Sequence, residues 1–108
     1  MKNITGLKRN KFTRNRKLNL PDIIKKHNLP DRSKFCGFAV HLPTEDEFLA
    51  GINETEEIVV RAFTKSPGFA KLYRNYNKVV RDAKNCLQAT KIVFVFDEGP
   101  QFAVITIE

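Results

Sequence analysis

The chain has 108 residues, 42% of them apolar and 29% charged, with a formal net charge of +7. That is one domain's worth of chain, with apolar content for a core and nine Phe but no Trp to fill it. No run approaches the about 18 apolar residues of a membrane span, and no apolar stretch follows the basic N-terminus as a secretory signal would require, so a cytoplasmic protein is expected.

Residues 1–19 read as a flexible basic arm. Lys8, Arg9, Lys11, Arg14, Arg16 and Lys17 repel one another, and Asn10 and Asn15 compete for backbone hydrogen bonds. Only Ile4, Leu7 and Phe12 are sizeable apolar side chains in residues 1–17, too few for an amphipathic targeting presequence. Residues 20–108 form the expected domain.

Pro21 to His27 reads as a short helix. Pro21 suits a first helical turn, Asp22 opposes the helix dipole, and Leu20, Ile23, Ile24 and His27 share one face. Asn28 and Pro30 stop it. Phe35 to Leu42, almost wholly apolar, reads as a central strand. Thr44-Glu45-Asp46-Glu47 has the pattern of a capping box, which predicts a helix from Thr44 with Phe48, Leu49 and Ile52 on its inner face and Gly51 and Asn53 at its end. Glu57 to Thr64 is a β-branched strand. Ser66-Pro67 then caps a long helix running to about Leu87. Phe69, Leu72, Tyr73, Tyr76, Val79, Val80, Ala83 and Leu87 form its apolar face, and Lys71, Arg74, Lys78 and Arg81 a basic stripe directly opposite. Lys91 to Phe96 and Gln101 to Ile107 make an antiparallel hairpin around Asp97-Glu98-Gly99-Pro100. The expected fold class is α+β: a small single domain, with about four mostly antiparallel strands, a C-terminal β-hairpin and helices packed on one face.

Charge is laid out in blocks. Residues 1–34 hold eleven Lys and Arg against two acids, and residues 35–108 hold eight against ten. Residues 45–57 carry six acids and no base; residues 65–91 carry seven bases and only Asp82 against them. Like-charge blocks need neutralising. A polyanion would serve the basic blocks; alternatively, the acidic block pairs with one of them inside the fold or across a homodimer.

Signatures of enzyme chemistry are sparse. The five glycines are isolated, so neither a P-loop nor a dinucleotide fingerprint exists. No HExxH, GxSxG or EF-hand pattern is present. Cys36 and Cys86 form no CxxC, and with His27 and His41 they lack zinc-site spacing, so no metal or cofactor is expected; two buried free thiols are expected ahead of a disulfide between them. His41 and His27 are the acid–base candidates, each with a structural alternative as a hydrogen-bonded residue at the end of an element. Tyr73 and Tyr76 phase into the apolar face. Phe12, amid Arg and Lys, would either stack on bases or tuck onto the domain.

The leading expectation is a nucleic-acid-binding protein rather than an enzyme. It would contact phosphates through the arm and through Lys71, Arg74, Lys78 and Arg81. RNA is favoured over DNA, because an arginine-rich arm orders on folded RNA without a groove-reading helix. One alternative is a small metal-independent endoribonuclease of toxin type, using His41 or His27. Another is a phage or mobile-element protein that binds a host protein complex through the acidic block.

Overall fold

The computed structural model of the protein describes residues 20–107. The expected basic arm lies outside them. Five antiparallel strands, β1 (Lys34–Leu42), β2 (Glu47–Glu54), β3 (Val59–Thr64), β4 (Lys91–Asp97) and β5 (Phe102–Thr106), form one sheet in the order β3-β2-β1-β4-β5. The apolar strand at Phe35 to Leu42 is central, as its composition predicts, and β4 and β5 form the C-terminal hairpin. Among the described residues no helix is long and apolar enough to cross a membrane.

Two α-helices, α1 (Leu20–Lys26) and α2 (Tyr76–Lys84), cover one face, here termed the helix face. Its core joins Phe38, Val40 and Leu42 of β1, Leu49 of β2 and Phe94 and Phe96 of β4 to Tyr76, Val79 and Ala83 of α2, with Leu20, Ile23 and Ile24 of α1 at the margin. Phenylalanine dominates the packing: Phe35 and Phe96 have ring centroids 5.5 Å apart, and Phe38 and Phe94 5.6 Å. These are tilted contacts of the kind that add to simple area burial.

The helix expected from Thr44 is not formed; its residues are the turn and second strand of a hairpin. Pro43 to Asp46 make the turn, and Glu47 onward is β2. Asp46 sits at φ 54°, a left-handed position that Asp tolerates better than most residues. The capping pattern is a local preference worth about 1 kcal/mol. A helix this short gains little alone. As a strand the same residues pair on both sides, with β1 at His41↔Phe48 and with β3 from Phe48↔Thr64 to Glu54↔Val59. The sheet thus has one strand more than expected.

The long helix also breaks. Pro67–Phe69 is a single 3₁₀ turn, capped by Ser66 as expected. Helix α2 does not begin until Tyr76, where the Asn75 side chain accepts from the Lys78 backbone N–H at 3.1 Å. Phe69 and Leu87, assigned by spacing to the apolar face, are 76% and 96% exposed. Between the 3₁₀ turn and α2 the backbone forms a different set of bonds. Lys71 N–H donates to Leu49 O of β2, and Tyr73 exchanges both backbone bonds with Phe38 of β1, each at 2.8 Å. β1 and β2 pair directly only at His41 and Leu42, and residues 71–73 fill the gap where they diverge.

The chain therefore threads the open end of the β1–β2 hairpin. Residues 65–70 form a strap on the second face, where Ala70 packs against the buried cluster of Ala39, Phe48, Val93 and Val95. After Tyr73 the chain emerges on the helix face to start α2. Gly37 makes this passage possible: it sits at φ +145° next to a register shift in β1, and a Cβ there would lie 2.8 Å from Tyr73 O. The strap explains how Ala39, Val93 and Val95 are fully buried on a face that neither α-helix covers.

Candidate nucleic-acid interface

Of the basic residues expected to contact phosphates, Lys8, Arg9, Lys11, Arg14, Arg16 and Lys17 lie outside the described residues. Lys71, Arg74, Lys78 and Arg81 are all exposed, but they do not form one stripe. Only Lys78 and Arg81 lie on α2. Lys71 belongs to the threading segment, where its Nζ lies 5.2 Å from the ring centroid of Tyr73, a helix-face residue. Arg74 acts on the ionisation of Cys36, which packs with the cluster beneath the strap. The break at Asn75 thus splits the predicted stripe between the threading segment, with Lys71 and Arg74, and α2, with Lys78 and Arg81.

Two acids of the acidic block, Asp46 and Glu47, are engaged locally. Lys65 Nζ reaches Glu45 O at 3.1 Å and Glu47 Oε2 at 3.7 Å, and His41 Nε2 lies 3.1 Å from Asp46 Oδ1. The remaining ion pair of the described residues is Arg81 with its neighbour Asp82, at 3.3 Å. None of these joins Lys71, Arg74, Lys78 or Lys84 to the acids at 45–57. Exposed pairs such as Lys65–Glu47 add under about 1 kcal/mol, so they orient the hairpin turn more than they stabilise it.

The two histidines do not share a site. The His41 ring stacks on Phe48 with centroids 4.9 Å apart, on the strap face. His27 is exposed at the end of α1, which lies on the helix face. Tyr73 and Tyr76 are both buried, as their phase predicts. Burial, followed by the hydrogen bond to Asp82, holds the Tyr73 phenol well above its ordinary range, and burial raises Tyr76 too. Among the described residues, no group of three or more His, Cys, Asp or Glu is placed to hold a metal ion.

Sequence reasoning missed one surface. On the strap face, Phe102 of β5 stands in register with Asp97, and Asp97 with Lys34, while Val104 stands opposite Val95. The strap comes down beside them: a Cβ on Gly68 would lie 2.9 Å from the Phe102 ring, and one on Gly37 would lie 3.4 Å from Leu72 Cβ. Phe69, Leu72, Phe102 and Val104 are all substantially exposed here. Three bases border them. Lys34 is in the same cross-strand row as Phe102, Arg74 follows Tyr73 at its bridge to Phe38 of β1, and Arg32 Nε lies 3.9 Å from the Cβ position of Gly99 in the β4–β5 turn. Acids share this corner: Asp97 stands opposite Lys34, its Oδ1 accepting from Gly99 N–H at 2.8 Å, and buried Glu98 accepts from the Gln101 side chain at 2.9 Å.

The signal for this surface is the pattern of β5. Its alternate residues Ala103, Ile105 and Ile107 face the helices, yet Phe102 and Val104 on the other side are also large and apolar. An edge strand apolar on both sides calls for a second cover, which the strap supplies only in part. Cys36 marks the same corner. Burial and then the Asp97 carboxylate push its thiol up, opposed by a backbone hydrogen bond and by Arg74.

No protein-family model matches the chain, and the searches of curated proteins and of solved structures return no match either.

Proposed function

We propose that this domain binds nucleic acid, RNA in preference to DNA, by neutralising phosphates with its exposed bases. The supporting observation is the separation of charge in the fold. Among the described residues Lys71, Arg74, Lys78 and Lys84 are exposed and form no ion pair, while Asp46 and Glu47 pair with His41 and Lys65. Bases left without acidic partners favour a polyanion. The preference for RNA follows from how the helices are used: α1 and α2 both lie flat on the sheet, and no helix-turn-helix pair occurs among the described residues to read a DNA groove. The N-terminal bases would add to the same phosphate contacts.

The experiment is a fluorescence-anisotropy titration of the full chain against labelled RNA over a range of salt. Log affinity is expected to fall linearly with log salt, with a slope of about −0.7 per phosphate contacted on a single strand. Binding that ignores salt, or no binding, overturns the reading. A second reading, metal-independent RNA cleavage, draws on the His41–Asp46 pair, in which a carboxylate orients an imidazole as a general base requires. RNA left intact by the wild-type chain in EDTA removes it.

A further inference from the structure

We propose that the strap-face corner built by Phe69, Leu72, Phe102 and Val104 is a stacking platform for single-stranded RNA, with Arg32, Lys34 and Arg74 as its phosphate contacts. This rests on the nucleic-acid reading above and goes beyond it by naming the surface and the form of the ligand.

The argument begins with burial. A domain of this size has a core for its phenylalanines: Phe38, Phe48, Phe94 and Phe96 are buried, and Phe35 and Phe63 are partly buried against them. Phe69 is not. It ends a 3₁₀ turn that is fixed at both ends, by the Ser66 side chain accepting from Gly68 N–H at 3.2 Å and by the Ala70 N–H donating to Pro67 O at 3.3 Å. Ala70, the next residue, does the burying for the strap. Phe69 is therefore held outward by ordered backbone. Phe102, on the adjacent strand, is 42% exposed, and Gly68 lets the strap approach its ring to a distance that a side chain would block.

Two exposed aromatic rings, one on the strap and one on β5, bordered by bases, suit one ligand chemistry. Unpaired bases offer π faces and apolar area, and their phosphates sit within reach of flanking Lys and Arg. A duplex hides those π faces inside its own stack and meets only the cationic part of such a surface. A purely apolar partner would leave Arg32 and Arg74 unused, while Lys34 keeps Asp97 opposite it. The charge of the rim thus selects a polyanion, and the rings select a single strand.

The test compares a labelled single-stranded RNA of about 12 nucleotides with a duplex of the same sequence, using the full chain and its Phe69→Ala, Phe102→Ala and Phe69→Tyr variants at fixed moderate salt. Each alanine variant is expected to lose about tenfold in affinity for the single strand, with duplex affinity and the salt slope unchanged. Phe69→Tyr should bind like the wild type, because it keeps the ring. Phe69 makes little use of the core, so its replacement leaves the fold intact and keeps the comparison valid. Single-strand binding that stays salt-dependent yet ignores both alanine changes overturns the platform and leaves the nucleic-acid reading standing. Equal losses on single strand and duplex overturn it as well. No binding to either form removes both. Self-association of the wild type that Phe69→Ala abolishes, with RNA affinity unchanged, gives the corner to a second copy of the chain and also overturns the proposal.

Discussion

The Tyr73 hydroxyl donates a hydrogen bond of 2.5 Å to Asp82 Oδ2, tying the segment that threads the β1–β2 hairpin to helix α2. Both residues are buried. Asp82 is the single acid within the basic stretch at 65–91, and its carboxylate also receives Arg81 Nε at 3.3 Å. A buried carboxylate is tolerated when its oxygens are occupied, and here each oxygen has a donor.

Replacing Tyr73 by Phe keeps the ring and removes the donor. The loss of one buried hydrogen bond to a charged group should cost about 1–3 kcal/mol, read as a drop in the midpoint of urea unfolding. The same change should alter the response to alkali. The folded state holds the Tyr73 phenol above its ordinary value of 10.0, chiefly by burial and then by Asp82. The stability this proton confers is present below the unfolded value and is lost as pH rises through the higher folded one. Wild-type stability should therefore decline above about pH 10. Tyr76, shifted the same way by burial, continues to contribute in the variant, so Tyr73→Phe should decline less steeply, not remain flat. Identical alkaline profiles for the two proteins would break the assignment.

The two strand glycines of the β1–β2 hairpin should respond in opposite ways to alanine. At Gly37 the left-handed φ and the approach of Tyr73 O to 2.8 Å both oppose a side chain. The strain alone is worth about 1–3 kcal/mol, and relieving the clash would also weaken the paired hydrogen bonds between Phe38 and Tyr73. Gly51 has nothing within 4 Å of its Cβ position and no unusual φ. Gly51→Ala should be neutral or stabilising by up to about 1 kcal/mol. Thermal melting of the two variants checks the contrast; equal effects would mean that the passage of the chain past Gly37 is wrongly placed.

Charge reversal separates the pieces of the predicted basic stripe. Arg74→Glu and Lys78→Glu are both exposed changes, expected to shift stability by only about 0.5 kcal/mol. Arg74 borders the exposed aromatic corner and Lys78 does not, so Arg74→Glu should weaken single-strand binding by about tenfold or more at moderate salt. Lys78→Glu should have the smaller effect. Titrations of both variants decide it. Equal losses would return the two residues to a single electrostatic surface.

The parts of the fold legible in the sequence are those where local pattern and tertiary pairing agree. β1, β4 and β5 read correctly because their β-branched and aromatic residues are bounded by turn residues, and α1 because its apolar spacing and its Pro and Asn limits coincide. The misreadings fall where a good local pattern met a better long-range use. Thr44 to Glu47 spells a helix start, yet Phe48 faces the strap side and Leu49 and Ile52 the helix side, so the segment supplies apolar groups to both layers of a sheet. The helical spacing from Phe69 to Leu87 concealed a cap at Asn75 and a strand-like bridge at Tyr73, and only the gap between β1 and β2 gives that bridge a reason to form. The basic residues were legible as residues and not as a surface, because the break sends Arg74 and Lys78 to different places. Arg32, Lys34 and Phe102 become neighbours only through strand register.

The two cysteines provide a footprint of the aromatic corner. Burial raises both thiols, so both should alkylate slowly near neutral pH and faster as pH rises. They differ in access: Cys36 is half-buried, whereas Cys86 is buried at the C-terminal end of α2, where its thiol donates to Asp82 O at 3.6 Å. Iodoacetamide should therefore label Cys36 first, as peptide mass mapping would show. Cys36 lies beside Gly37, over which Leu72 packs, and within the influence of Arg74. A single strand laid across Phe69 and Phe102 would cover the approach to this thiol and leave Cys86 untouched. Saturating single-stranded RNA should thus slow Cys36 labelling several-fold without changing Cys86, while a duplex at equal phosphate concentration should protect it less. Protection of both cysteines alike would indicate general tightening of the fold on binding. Protection of neither, in a protein that demonstrably holds the strand, would move the contact to the outward bases of α2.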